Sequence, residues 1–167
     1  MATPLTFDII PHVGIGPVLL GMTLDEVRMA LADLPGAFPE VRKGQTIHCY
    51  FDVALQVSFG QSKLVEFIGV YNTSLLLCKF EGHDVFDLPG PELFSLIASK
   101  ERSDQHKYNS SEYLFPDQIV TLYEANEQYD RKRGELRPVF MEVGVGNAEY
   151  LAAIEAINAR YSGHEAG

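Results

Sequence analysis

Cationic side chains are scarce in this chain: 13 Lys and Arg stand against 23 Asp and Glu, a formal charge of −10. Surfaces that bind phosphate need an excess of Lys and Arg, so direct nucleic-acid binding is disfavoured. The acids are unevenly spread. Residues 1–73 hold seven acidic and four basic side chains, and residues 74–167 hold sixteen and nine, so the second part carries −7 of the −10. An acidic surface of this kind suits solubility or a basic protein partner. Tryptophan is absent, and there are only two cysteines, Cys49 and Cys78. Neither forms a CxxC or Cys/His spacing, which argues against a disulfide framework and against a zinc site. Both are expected as reduced, buried, small apolar residues. Long apolar runs are missing too, so no segment approaches the roughly 20 residues that span a bilayer. Met1–Asp8 has neither the basic start nor the apolar stretch of a secretory signal. The expectation is a cytoplasmic protein without a membrane partner.

Motifs for chemistry are equally sparse. The histidines His12, His48, His83, His106 and His164 form no HxH or HExxH spacing. His83 and Asp84 are adjacent, and neighbours on a strand point to opposite faces. Gly14-x-Gly16 and Gly144-x-Gly146 are too short for a dinucleotide fingerprint and read as turn and strand-end glycines. No GxSxG, P-loop or Cys/His nucleophile signature occurs, and no acid spacing singles out a general acid/base pair. Hence no catalytic residue, metal ligand or cofactor is expected. An active site assembled only in three dimensions is the alternative.

What is present is a globular chain. Its 167 residues, 46% hydrophobic, suffice for one domain that buries roughly 70% of its unfolded surface. Phe7–Ile10 reads as a short strand, followed by a Pro/Gly-rich turn from Pro11 to Pro17. Thr23 and Glu26 have capping-box spacing, and Met22 and Val27 stand where a hydrophobic staple would sit. Leu24, Val27, Leu31 and Leu34 then recur at helical spacing until Pro35-Gly36. Strands are predicted at Thr46–Asp52, Ala54–Phe59 and Leu64–Tyr71, with a tight connection from Gly60 to Lys63. Beyond them, Lys79–Phe86 reads as a strand. Pro89 or Pro91 opens a helix with Leu93, Leu96 and Ile97 on its apolar face. Ser99–Ser111 reads as a mobile loop. Tyr113–Phe115, Ile119–Tyr123 and Val139–Val145 read as strands. Asn147 caps a last helix with the stripe Leu151, Ile154, Ile157 and Tyr161, and Ser162–Gly167 is expected as a frayed tail.

The order repeats. Glu26, Val27 and Leu31 match Glu92, Leu93 and Ile97 at an offset of 66. Phe51, Leu55, Val57 and Phe59 match Phe115, Ile119, Thr121 and Tyr123 at an offset of 64. Ile68-Gly69-Val70 and Asn72 match Val143-Gly144-Val145 and Asn147 at an offset of 75. The expected fold class is therefore α+β, a tandem duplicated unit of a helix packed on antiparallel strands in one compact domain. That domain covers residues 1–161: unit one about 7–73, unit two about 76–147, and a C-terminal helix 148–161.

The segment Leu20-Gly21-Met22-Thr23-Leu24-Asp25-Glu26-Val27, ahead of a helix and a strand meander, resembles the helix-opening motif of the superfamily of β-lactamase-inhibitor proteins and small outer-membrane-assembly lipoproteins. The resemblance implies a helical portion packed on an antiparallel sheet, carried twice in the inhibitors, and binding through the concave doubled sheet rather than catalysis. The lipid-anchor cysteine and the paired cysteines of secreted members have no counterpart here, and the second copy begins Leu88-Pro89-Gly90-Pro91 instead of Gly-Met-Thr.

The distinctive insert is Glu124–Pro138, EANEQYDRKRGELRP, which reads as a long charged loop between the last two strands. Tyr129 amid Glu124, Glu127, Asp130, Arg131 and Arg133 is the expected partner-binding set, because tyrosine and arginine dominate interface hot spots. The functional expectation is a protein-binding inhibitor: a cytoplasmic immunity protein that covers the active site of a cognate, basic-surfaced interbacterial toxin. A small enzyme with a hidden site and an assembly adaptor are the alternatives.

Overall fold

The structure, a computed structural model, describes residues 3–41, 47–103, 105–130 and 135–165; at residues 41, 126–130, 135–136 and 164–165 only the backbone course is described. Among the described residues two sheets and three helices make up the α+β fold. β1 (Leu5–Ile10), β2 (Gly14–Ile15) and β3 (Val18–Leu19) come first, so the predicted Pro11–Pro17 turn itself contributes a two-residue strand. α1 (Leu24–Leu31) follows, opened by the full capping box: the Glu26 amide donates to the Thr23 hydroxyl, and the Thr23 amide donates to the Glu26 carboxylate. Val27 and Leu31 of α1 are buried. Losing the cap side chain in Thr23→Ala should lower stability by about 1 kcal/mol, read as a shift of the urea midpoint at unchanged slope. An unchanged midpoint would show the box to be redundant.

Next come β4 (Glu40–Val41), β5 (Ile47–Tyr50), β6 (Leu55–Phe59) and β7 (Val65–Tyr71), an antiparallel succession. The predicted strand Lys79–Phe86 is instead a hairpin. β8 (Leu76–Phe80) and β9 (His83–Asp84) are joined by Glu81-Gly82, both at positive φ (49° and 80°), a turn that no continuous strand accommodates. β8 also lies parallel to β1, with Leu5 beside Leu76 and Phe7 beside Cys78. The smaller sheet thus has the order β3-β2-β1-β8-β9.

α2 (Gly90–Ala98) starts at Pro89, as predicted, and buries Leu93, Phe94 and Ile97. The described residues of the segment Ser99–Ser111 form no helix or strand. Its His106 and Tyr108 rings join a cluster with Phe94, Tyr113, Phe115 and Phe140. The carbonyls of Ser110 and Ser111 also accept hydrogen bonds from Ala125 and Glu124. Glu101 braces the following turn, taking hydrogen bonds from the Asp117 amide (2.7 Å) and the Gln118 side chain (3.0 Å). Gln118, a buried polar residue, also donates to the Ile97 carbonyl, so its burial is compensated.

β10 (Glu112–Phe115), β11 (Val120–Asp130) and β12 (Glu135–Gly146) complete the seven-stranded sheet, order β10-β11-β12-β7-β6-β5-β4. Here the sequence reading needs its largest correction. Glu124–Pro138 is no long loop; β11 and β12 pair without interruption of register from Val120↔Val145 to Asp130↔Glu135. Glu124, Glu127, Tyr129 and Asp130 lie in strand β11, while Arg131 and Arg133 lie outside the described residues. Beyond Glu142, β12 no longer pairs with β7, so the hairpin reaches past the sheet as a two-stranded ribbon. Phe140 and the Arg137–Asp87 ion pair (3.2 Å) tie its base down.

The centre of the sheet is symmetric in its pairing. Gly69 faces Gly144, flanked by Ile68↔Val145 and Val70↔Val143, so a shift of 75 maps this ladder onto itself. Outward from the centre, Leu55 pairs with Val70 and Val120 pairs with Val145, which relates β6 to β11 by 65 and not by the 64 read from sequence. The difference matters because a one-residue slip exchanges the two faces of a strand. With 65, buried Leu55 and Val57 match buried Val120 and Leu122. One face of the sheet meets α1 and α2 in a single core. α3 (Ala148–Glu165), with the Asn147 side chain accepting from the Tyr150 amide, starts on the opposite face. The helix continues through the expected frayed tail to Glu165. Of its predicted stripe, Leu151 and Ile154 are half-buried, whereas Ile157 and Tyr161 are exposed.

Candidate partner-binding face

Cross-strand partners share a face, so the register assigns the side of the sheet opposite α1 and α2. Across β4, β5, β6, β7, β12, β11 and β10 one row runs Glu40, Cys49, Gln56, Gly69, Gly144, Thr121, Leu114. The next row, over four strands, is Tyr71, Glu142, Tyr123, Glu112. On the other side Ile47, Ser58, Phe67 and Gly146 form a third row. None of these positions holds a Lys or Arg.

Two side chains cover the central glycines in a symmetric way. A Cβ on Gly144 would lie 2.3 Å from the Phe67 ring, and one on Gly69 would lie 2.5 Å from the Glu142 carboxylate. The same shift of 75 relates Phe67 to Glu142. Phe67 also stacks on Tyr150 of α3 at 4.5 Å. Burial pushes the Tyr150 hydroxyl up to about 12. α3 therefore screens the Phe67 end of the face, and its Tyr150 lies within electrostatic reach of the row's Glu142 and Glu112.

Glu142 is the unusual group. Tyr71 donates to its Oε2 at 2.5 Å, and among the described residues no Lys or Arg pairs with it. Burial raises its pKa, opposed by the Tyr71 hydrogen bond. Burial likewise raises Tyr71, with Glu142 adding to the effect. Glu66, beside Glu149, is raised by burial and then by that neighbouring charge. At Tyr123 the Glu124 carboxylate is the main cause of a raised pKa, so the edge of the row is acidic as well.

These shifts have a defined sign. A carboxylate raised above its ordinary 4.5 keeps its proton in the folded state after the unfolded chain has released it. Its stabilising contribution is complete below the unfolded value and disappears as pH rises through the folded one. Glu142→Gln keeps an acceptor for Tyr71 and removes the charge. The variant should therefore unfold at higher temperature than the parent at pH 7–8, with the advantage vanishing at about pH 4. A variant less stable at both pH values would mean the charge is compensated.

At one end of the face lies a cavity of about 320 Å³ lined by Asp52, Gln56, Tyr71, Asn72 and Thr73 together with Val53 and Ala54. The turn that forms its wall is strained: Phe51, Asp52 and Val53 have φ of 55°, 53° and 73°. A β-branched residue there is a clear outlier, and three in succession cost several times what one does. The matching turn before β11 has only Ile119 at positive φ among non-glycine residues.

Elsewhere, Ser103, His106 and Tyr113 come together. The Ser103 hydroxyl stands 3.4 Å from His106 Nε2, and His106 Nδ1 bonds to the Tyr113 hydroxyl. Ser103 donates to Glu101 at 3.1 Å, so its proton is directed away from the imidazole. Cys78 is buried, and burial pushes its thiol up to about 12, far from a reactive thiolate. Among the described residues no group of three or more His, Cys, Asp and Glu is placed to hold a metal ion, and no helix is long and apolar enough to cross a membrane.

Of the residues expected to bind a partner, Glu124 adjoins the Tyr/Glu row, and Glu127, Tyr129 and Asp130 continue along the ribbon. The row itself was missed from sequence. Its members lie on four different strands, and only the pairing register brings them together. No protein-family model, curated protein or solved structure matches this chain.

Proposed function

We propose that the chain is a protein-binding inhibitor, an immunity protein of the cytoplasm that neutralises a cognate interbacterial toxin by covering its active site. The observation that carries this reading is the outer sheet face. Tyr71, Glu142, Tyr123 and Glu112 form a tyrosine–carboxylate row over four strands with no Lys or Arg among the face positions. Tyrosine supplies large contact area at small entropic cost, and a field of one sign steers an oppositely charged partner. A broad, rigid sheet face can bury the roughly 1,600 Å² of a standard interface. The partner is thus a protein with a basic surface, and the inhibitor acts by occupancy.

The test is co-expression with the toxin domain encoded beside this gene, scored by growth, and calorimetry of the purified pair. Growth restored by a stoichiometric complex that leaves the toxin chemically unmodified supports the reading. Absence of binding to any neighbouring gene product sinks it.

A further inference from the structure

We propose that the cavity beside Tyr71 is the seat of one arginine side chain from the partner. This rests on the inhibitor reading for its biological occupant, though not for its chemistry. The open cavity of about 320 Å³ is large enough for a guanidinium and its stem. Five of its seven lining residues, Asp52, Gln56, Tyr71, Asn72 and Thr73, carry side-chain oxygens that can accept hydrogen bonds. No Lys or Arg lines it, so no internal cation competes.

Geometry favours arginine over lysine. A guanidinium carries five donors in a plane, which several dispersed acceptors can satisfy at once, whereas an ammonium is a compact, strongly hydrated charge. The Tyr71 ring supplies a surface for cation–π contact, and its hydroxyl is already committed as donor to Glu142 at 2.5 Å, which leaves the oxygen lone pairs as acceptors. The Glu142 carboxylate, without a cation among the described residues, stands one hydrogen bond behind that hydroxyl. The run of left-handed residues Phe51, Asp52 and Val53 sets the backbone course at the lining residue Asp52. The matching turn before β11 is braced by Glu101 and Gln118 instead.

The experiment uses the full chain and a probe of known identity. N-acetyl-arginine amide is titrated into the ¹⁵N-labelled protein, with the uncharged citrulline analogue and N-acetyl-lysine amide as comparisons. Saturable amide shifts confined to residues 52–56 and 71–73 are expected with arginine, weaker ones with lysine and none with citrulline. Asp52→Asn should weaken the arginine response about tenfold, the loss of one charge-assisted hydrogen bond. Asparagine tolerates the left-handed backbone at this exposed position at least as well as aspartate, so the variant keeps its fold, which its unperturbed core amides would verify. A citrulline response equal to that of arginine, or arginine shifts centred elsewhere, overturns the proposal. Arginine binding without capture of any toxin would retain the seat and reject the inhibitor reading. Toxin capture undiminished by Asp52→Asn, in a protein that ignores free arginine, would do the reverse.

Discussion

Gly144→Val should destabilise the protein by about 3 kcal/mol, the upper end of what overpacking a filled site costs. The alanine variant should lose about 2 kcal/mol. The obstacle is specific. A Cβ at this position would meet the Phe67 ring at 2.3 Å and the Thr121 hydroxyl at 2.7 Å. Phe67 cannot simply swing aside, because Tyr150 stacks on its other side. The double variant Phe67→Ala, Gly144→Val tests this account: the valine should cost less in that background by 1 kcal/mol or more, a coupling of the size seen between touching residues, about 0.5–3 kcal/mol. Additive losses in the urea midpoints would show that the ring is not the barrier. The variant matters for function too, because Phe67, Tyr150 and Glu142 together fix the shape of the outer face.

Much of the framework was legible in the sequence because it is encoded locally. Thr23, Glu26 and the staple residues specify a helix start within seven residues, and Pro89 and Asn147 do the same for the other two helices. Alternation in Leu55–Phe59 marked a strand with one covered face. The failures are non-local. In Lys79–Phe86 the segment turns back on itself through backbone angles at Glu81 and Gly82, which a strand reading of the whole segment passes over. Residues 124–138 look like a loop because charge and Pro138 lower strand propensity. Pairing with a partner strand decides otherwise, and Pro138 is accommodated where β12 has left β7 and runs as an edge. Matching Phe51 to Phe115 by identity gave an offset of 64, whereas the pairing register relates these strands by 65. Tyr50 and Phe115 occupy equivalent pairs, with Leu55 and Val120 respectively. The same limit hid the Tyr71–Glu142–Tyr123–Glu112 row, whose members are neighbours only after register is set.

Under the proposed inhibitor function, that row and the ribbon carry separable parts of partner binding, and this is where the largest functional effect is expected. Tyr123→Ala with Glu112→Lys should weaken the toxin complex at least about 100-fold, since truncating a central tyrosine hot spot alone costs about 2 kcal/mol or more. Both residues are exposed, so the fold should tolerate the change. The loss should fall mainly on dissociation, because the row supplies short-range contact. Charge reversal at Glu127 and Asp130 should act differently. These residues belong to a strand that extends past the sheet, and their charges add to the long-range field. Association should slow several-fold and lose salt dependence, with dissociation little changed. Surface plasmon resonance at two ionic strengths separates the two effects. If the ribbon variant instead accelerates dissociation while the row variant binds normally, the hairpin is the contact surface and the sheet face is not.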